Sequence, residues 1–316
     1  MPKPIHRVTT VVRTVAPVSD GVLAFELADP DDWELPPFTA GAHVDVHLGE
    51  RLVRQYSLYG DPAERTRYRI AVRREEAGRG GSLAAHRSIR VGTILPVSLP
   101  RNHFAIRGGA RHVMIAGGIG ITPFLSMIPI LRRQGAPFEL HYASRSPGET
   151  PFLADLAPLA AAGLVHHRFT RSDGRLELER IVSGAGPEDR IYGCGPVDML
   201  TELLRLGDIH APGRVHVELF GGQGVGAPSD PDYAVELARS KQLIVVPRGQ
   251  TMLNVLRESG FDVPASCEGG VCLECKTRYL AGSPVHRDLT LPASERREFL
   301  TPCVSGCSSE RIVLDL

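Results

Sequence analysis

Five of the six cysteines fall in the last fifth of this 316-residue chain, and their spacing limits what that region can be. Cys267, Cys272 and Cys275 are separated by four and then two residues, and Cys303 follows after another 27. Three thiolates in one short loop, completed by a fourth from a separate segment, is the ligand pattern of plant-type 2Fe–2S clusters. Gly269 and Gly270 let such a loop wrap closely, and their N–H groups can point at sulfur and tune the potential. The alternative is a structural zinc site, which usually pairs two short cysteine units and is the less favoured reading of this spacing. Cys307 would serve as fourth ligand only over the longer interval of 31 residues, so Cys303 is preferred and Cys307 otherwise reads as a small buried thiol. In a reducing compartment this clustering argues for metal or redox chemistry rather than disulfides.

The length predicts two or three domains at about 100–200 residues each. Thirty-six basic side chains balance thirty-six acidic ones, so no net basic field exists to attract nucleic acid or anionic lipid. The N-terminal stretch lacks an apolar signal region, and the uncharged run from Val113 to Leu131 is interrupted by glycines and prolines. The expectation is a soluble, cytoplasmic protein that binds neither membrane nor nucleic acid.

The first hundred residues read as all-β. Ala42–Leu48 alternates, with Val44, Val46 and Leu48 on one face and His43, Asp45 and His47 on the other, and Tyr68–Arg73 behaves alike. Turn-rich segments separate these short strands at the spacing of a barrel or sandwich. From about Arg111 the pattern changes: His112–Ala116 is a continuous apolar run, as in a strand buried on both faces of a parallel sheet. A glycine loop (Gly117, Gly118, Gly120) follows, then Thr122 as an expected N-cap, Pro123 in the first turn, an apolar stripe of Phe124, Leu125, Ile128 and Leu131, and Gly135 as the stop. Phe138–Ala143, Asp189–Tyr192 and Arg214–Phe220 read as further strands, so this part is a doubly wound α/β sheet. Gly221–Asp232 is the clearest linker. Beyond it, strands at Gln242–Val246, Lys276–Leu280 and Arg311–Leu316 and a helix at Thr251–Ser259 make a small α+β unit.

Six motifs now occur in a fixed order: Arg54-Gln55-Tyr56-Ser57-Leu58; Arg79-Gly80-Gly81-Ser82; Pro100-Arg101-Asn102-His103-Phe104; Ala116-Gly117-Gly118-Ile119-Gly120-Ile121-Thr122-Pro123; Tyr192-Gly193-Cys194-Gly195-Pro196; and the cysteine loop. In this set and over nearly the full length the chain resembles the phthalate dioxygenase reductase family, which includes vanillate demethylase reductases. The resemblance implies a multidomain protein: an antiparallel flavin-binding β-barrel (residues 1–107), a doubly wound NAD-binding α/β domain (108–222), a linker (223–232) and a β-grasp 2Fe–2S ferredoxin domain (233–316).

It also implies roles. Arg54 would pair with the flavin phosphate, a task suited to its planar fork. Tyr56 would pack on the ring system, with Leu58, Ala71 and Val72 nearby, and Ser57 would hydrogen-bond near the hydride-accepting nitrogen. Gly80, Gly81 and Ser82 would offer donors at a helix start. Gly118 and Gly120 would let the dinucleotide approach, although their loop lacks the strict G-x-G-x-x-G spacing. Thr122 would lie at the flavin–nicotinamide junction, and Cys194, with Gly195 and Pro196, beside the nicotinamide. Ser144, Arg145 and Asp173 would face the adenosine half. Phe220 would lie against the flavin. Relatives carry small residues where this chain has Leu273 and Glu274, which puts the docking surface and potential in question rather than cluster assembly.

The implied function is electron transfer from NADH through FMN and the 2Fe–2S cluster to a terminal oxygenase, with a Rieske non-haem iron enzyme as the first expectation. An acidic residue near the ribose would favour NADH, whereas Arg145 and Arg171 could argue for NADPH. FAD in place of FMN, a haem monooxygenase or separate ferredoxin as acceptor, and a non-catalytic redox or metal-sensing module are the alternatives. Hydride transfer needs orientation and water exclusion rather than an acid–base pair, so Ser57, Thr122 and Cys194 are the catalytic candidates. A monomer is typical of such proteins.

Overall fold

The computed structural model describes residues 7–49, 52–76, 78, 80–220, 230–265 and 268–316. The chain divides into two compact units between Glu218 and Leu219.

The first unit contains two sheets. Strands β1 (Arg7–Ser19), β2 (Val22–Ala28), β3 (His43–His47), β4 (Val53–Ser57), β5 (Arg67–Arg73) and β6 (Ile94–Ser98) form an antiparallel sheet in the order β4-β3-β6-β1-β2-β5. A bridge between Tyr59 and Arg69 links the end of β4 to β5, so the sheet curls toward closure as a barrel. Alternating residues fill its interior, among them Phe25, Leu27, Val44, Val46, Leu58, Ile70 and Val97, each almost without solvent exposure. Burying a side chain of this size is worth about 1.5–3 kcal/mol. His43 departs from the expected alternation: it lies on the polar face of β3 yet is buried. Helix α1 (Gly81–Ser88) follows β5.

The second sheet is built from β7 (His112–Gly117), β8 (Phe138–Ser144), β9 (Val165–Phe169), β10 (Arg190–Gly195) and β11 (Val215–Leu219), in the order β11-β10-β7-β8-β9. The β10–β7, β7–β8 and β8–β9 pairs are parallel. Every residue of β7 is buried, as its unbroken apolar run predicts. Helices α2 (Thr122–Gln134), α3 (Leu153–Ala161), α4 (Leu178–Ser183) and α5 (Val197–His210) connect the strands. The chain order reverses between β7 and β10, where open α/β sheets leave a crevice at their carboxyl ends.

Thr122 is not the N-cap its sequence position suggests. A 3-10 turn, Gly118–Ile121, runs directly into α2, so Thr122 already has helical backbone and its hydroxyl donates to Ile119 O at 3.1 Å. Gly135 does end α2, in the left-handed conformation, with its N–H turned back to the last helical carbonyls. Among the described residues no helix is long and apolar enough to cross a membrane, and the run 113–131 is β7 plus α2.

Residues 221–229 of the expected linker lie outside the described residues. The following Asp230 and Asp232 are tied to the second unit, Asp230 to Arg287 and Asp232 to the Arg248 N–H at 2.7 Å. That unit contains β12 (Tyr233–Leu237), β13 (Leu243–Val246), α6 (Met252–Glu258), β14 (Thr277–Ala281), β15 (Pro284–Val285), β16 (Phe299–Leu300), β17 (Gly306–Cys307) and β18 (Arg311–Leu314). Five strands form a mixed sheet, β13-β12-β18-β14-β16, with β12 and β18 parallel. Thr251 caps α6 by accepting the Asn254 N–H, and Leu253 and Leu256 bury its inner face with Val235, Leu237, Ile312 and Leu314. This α+β arrangement, with Cys275, Cys303 and Cys307 in its core, is the β-grasp that the resemblance implies.

Candidate functional site

The chemistry-bearing residues of the first unit gather on β4, the start of α1 and the carboxyl ends of β7, β8 and β10. Arg54 lies over the first turn of α1: a Cβ on Gly81 would come within 2.4 Å of Arg54 Cγ. Only glycine admits the arginine there, and the long side chain is held against a helix N-terminus, which suits an anionic group. Gly80, with φ 79°, turns the chain into that helix. The Ser82 hydroxyl accepts the Glu75 N–H at 3.0 Å, which ties the preceding loop to α1. Tyr56 is partly covered, and burial pushes its phenol up to about 12, so it stays protonated. Leu58 and Val72 belong to the barrel core, and Ala71 is buried beside Val72; their side chains are committed to packing, and the Val72 carbonyl meets the His86 ring nitrogen at 2.8 Å.

Ser57 is buried, and its hydroxyl donates to Glu218 Oε2 at 3.2 Å. Glu218 stands on β11; neither it nor His43 was anticipated as part of a site, whereas Cys194 beside it was. Cys194 is fully buried near it: burial first, and the Glu218 charge second, push the thiol well above its ordinary value. His43 Nδ1 lies 3.9 Å from Glu218 Oε1, within ion-pair range. Yet burial, then Arg101 and His103, lower the imidazole to about 3, so His43 is neutral and the contact is not an ion pair. Its ring stacks on His103 at 5.5 Å, and Arg101 is clamped by both oxygens of Asp45 at 2.8 and 2.7 Å. The alternation of β3 and β11 could have marked His43 and Glu218 as same-face polar residues, but nothing in either strand says that they meet.

A cavity of about 1190 Å³ opens at the carboxyl ends of β7, β8, β9 and β10. Gly118, Ser144, Arg145 and Pro196 line it on the sheet side, and Asp20, Gly21, Val22, Arg73 and Arg74 on the barrel side. Other expected residues stand elsewhere. Gly120 is required for packing: a Cβ there would lie 2.2 Å from the Cys194 carbonyl oxygen. Gly195 packs likewise against the Gly117 backbone. Thr122 is buried behind the glycine turn. The Ser144 hydroxyl bonds Thr150 Oγ1 at 2.5 Å rather than reaching outward. Asp173 is exposed and turned into its own loop, accepting the Phe169 N–H at 2.9 Å and the Ser172 hydroxyl at 2.7 Å; it is not among the cavity-lining residues. Glu149, on the loop after β8, is among the carboxylates that line the cavity. Phe220 directly follows β11 and is half-buried.

In the second unit Cys275 and Cys303 are buried, with their sulfurs 3.3 Å apart. Two thiolates on one tetrahedral metal with bonds of about 2.3 Å would stand about 3.8 Å apart, so this pair needs little adjustment to share an iron. Cys272 is half-buried, and Cys267 lies outside the described residues. Among the described residues alone, no group of three side chains is assembled for a metal. The Cys307 thiol instead donates to Ser309 O at 3.2 Å.

The loop is held from behind. Leu289 N donates to Gly270 O at 2.9 Å and Thr290 Oγ1 to Val271 O at 2.6 Å, while the fully buried Asp288 carboxylate meets Arg296 Nη2 at 3.1 Å. Gly270, at φ 71°, would drive a Cβ to 2.7 Å from Val304 and 2.9 Å from the Asp288 backbone. Glu268 and Leu273 also take left-handed backbone, and Glu274 is exposed.

A family model described as a 2Fe-2S iron-sulfur cluster binding domain matches residues 235–308. The reductase subunit of a tert-butanol monooxygenase / tert-amyl alcohol desaturase from Aquincola tertiaricarbonis is 40% identical over 323 residues, covering 96% of this chain and 95% of the relative. The beta subunit of a heme-dependent oxidative N-demethylase from Ectopseudomonas mendocina is 42% identical, covering 89% and 90%. The solved structure of phthalate dioxygenase reductase, described as modular for electron transfer from pyridine nucleotides to a 2Fe-2S centre, superposes with a TM-score of 0.79 at 34% identity over 98% of both chains. With these likenesses along its length and a thiol pair inside a 2Fe–2S domain, the chain is an oxidoreductase and belongs to the phthalate dioxygenase reductase family.

Proposed function

We propose that this protein passes electrons from NADH, through bound FMN and a 2Fe–2S cluster, to the terminal component of an oxygenase, and that it works as a cytoplasmic monomer. The observation that carries this reading is a single cavity walled both by barrel residues and by the carboxyl ends of the α/β sheet, where a nicotinamide can meet a barrel-bound flavin. When bound, the flavin accepts a hydride and the cluster exchanges single electrons, which converts a two-electron donor into a one-electron supply.

The residues divide the work. Arg54, with the N–H groups of Gly81 and Ser82, would hold the flavin phosphate, and Tyr56 would cover the ring. Ser57 and Glu218 form a partly buried polar pair beside the neutral Cys194 thiol, and this pair would orient the reacting faces and exclude water. Gly118 and Pro196 would border the nicotinamide, and Arg145 the adenosine end. Cys267, Cys272, Cys275 and Cys303 would hold the cluster.

A Rieske non-haem iron oxygenase or demethylase is the first choice of acceptor. The likeness to a subunit of a heme-dependent N-demethylase supports a haem enzyme as the second. The test is anaerobic titration of purified, cluster-replete protein with NADH, with the released flavin identified by mass. Bleaching of flavin absorption followed by loss of cluster absorption is expected. Protein that binds flavin but is not reduced by NADH would overturn the reading. Reconstitution with each oxygenase type then separates the acceptors.

A further inference from the structure

The end of the cavity read as the adenosine site has a charge arrangement that bears on which dinucleotide enters: Arg145 and Glu149 line the cavity, and Arg171, not itself a lining residue, pairs with Glu149. Arg145, just after β8, and Arg171, just after β9, stand on neighbouring loops joined by a hydrogen bond from Arg171 N to Arg145 O at 3.2 Å. Both guanidiniums are largely exposed, at 64%. Either could in principle grip a phosphate. Glu149, at the end of the short turn Pro147–Glu149, lies between them. Its carboxylate is 2.7 Å from Arg171 Nη1 and 3.8 Å from Arg145 Nη1, and it is only 25% exposed. The Ser146 hydroxyl also donates to it, at 3.3 Å.

We propose that Glu149 is the specificity-determining residue that admits a ribose 2′-hydroxyl and rejects a 2′-phosphate; this rests on the reading of the cavity as the NADH site. A 2′-hydroxyl can donate to a carboxylate, which gains a partner without loss of its arginines. A 2′-phosphate carries close to two negative charges and offers acceptors only. To bind, it would have to pull at least one guanidinium from Glu149 and sit beside an unneutralised carboxylate, a like-charge juxtaposition that disfavours the wrong ligand. Two arginines that taken alone favour NADPH are thereby converted into supports for a carboxylate that favours NADH. Asp173, folded into its own turn, leaves this task to Glu149.

The test compares flavin- and cluster-replete wild type with Glu149→Gln, which keeps size and hydrogen bonding but removes the charge. Two quantities are read: the ratio of kcat/KM for NADPH over NADH, and the relative affinity for 2′,5′-ADP over ADP by calorimetry, which requires no turnover. Both ratios are expected to rise about tenfold or more in the variant, as loss of one close like charge predicts. Adding Arg171→Ala to Glu149→Gln should remove most of that gain, because the freed guanidinium supplies it. Unchanged ratios in a variant that still turns over NADH would overturn the role of Glu149 alone. A wild type that already accepts NADPH as well as NADH would also overturn it. A wild type that binds neither ADP nor NADH would overturn the cavity assignment itself, and this inference with it.

Discussion

The thiols of Cys275 and Cys303 lie 3.3 Å apart although 28 positions separate them in the chain. The contact joins the end of the cysteine loop to the segment after β16, and it supports the proposal that Cys303 rather than Cys307 is the distant ligand. Cys303→Ser and Cys272→Ala should therefore each abolish the visible absorption of the cluster and reduction of a one-electron protein acceptor. NADH-driven flavin reduction should persist, because those residues serve the other compact unit. Cys307→Ala should retain full iron content, and iron loss in that variant would reverse the ligand assignment.

Arg54 and Gly81 should behave as one element. Gly81→Ala places a methyl where Arg54 runs, so it should weaken flavin binding about as much as Arg54→Ala does. A lost charge-assisted contact of about 1.5–3 kcal/mol corresponds to about a 10- to 100-fold rise in the flavin dissociation constant. Fluorescence titration of apoprotein measures it. Unaltered affinity in both variants would place the phosphate elsewhere.

The buried Asp288 carboxylate faces Arg296, and its backbone packs on Gly270. Asp288→Ala strands a partly covered guanidinium and loosens the wall behind the cysteine loop. The second unit should lose about 1–3 kcal/mol of stability, since the half-exposed Arg296 can turn to water while the buried hydrogen bonds to the carboxylate are lost. Denaturant melts followed by cluster absorption would show this, whereas melts followed by flavin fluorescence should move little.

His43 makes the first unit sensitive to acid. Its folded value, about 3, lies below the ordinary 6.5, so between these values the unfolded chain binds a proton that the native state refuses. Stability conferred by keeping His43 neutral is present above pH 6.5 and declines as pH falls toward 3. By pH 5 the loss relative to pH 7 should be about 2 kcal/mol from this residue. His43→Asn should flatten that part of the pH profile in urea unfolding, and an unchanged slope would show that another group governs it.

The features legible in the sequence are those written in local spacing. The unbroken apolar run of β7 and the left-handed Gly135 each depend on a few adjacent residues, and the structure contains them where expected; the thiol intervals match a 2Fe-2S domain model over residues 235–308. What could not be read is where polar side chains turn after the chain folds. Asp173 and Glu149 are both loop carboxylates near strand ends. Only the three-dimensional course of the loops shows that one satisfies its own backbone and the other holds two arginines. Glu218 and Ser57 are 161 positions apart, and no local pattern announces their hydrogen bond. Thr122 failed as a cap because the glycine turn before it is itself helical, a competition between two short signals that propensity alone does not decide.

The barrel and the α/β sheet are stitched together by Asp20 N to Gly148 O at 2.9 Å, Gly41 N to Ser126 Oγ at 2.9 Å, and Arg133 with Asp61. They lie in one compact unit that ends at Glu218. Natural or laboratory recombination between homologues therefore has an asymmetric landscape. A crossover near residue 107 separates halves that must fit each other atom by atom, whereas one just after Glu218 exchanges a module with its own core. Lineages of such enzymes can trade acceptor modules far more freely than they can trade donor sites.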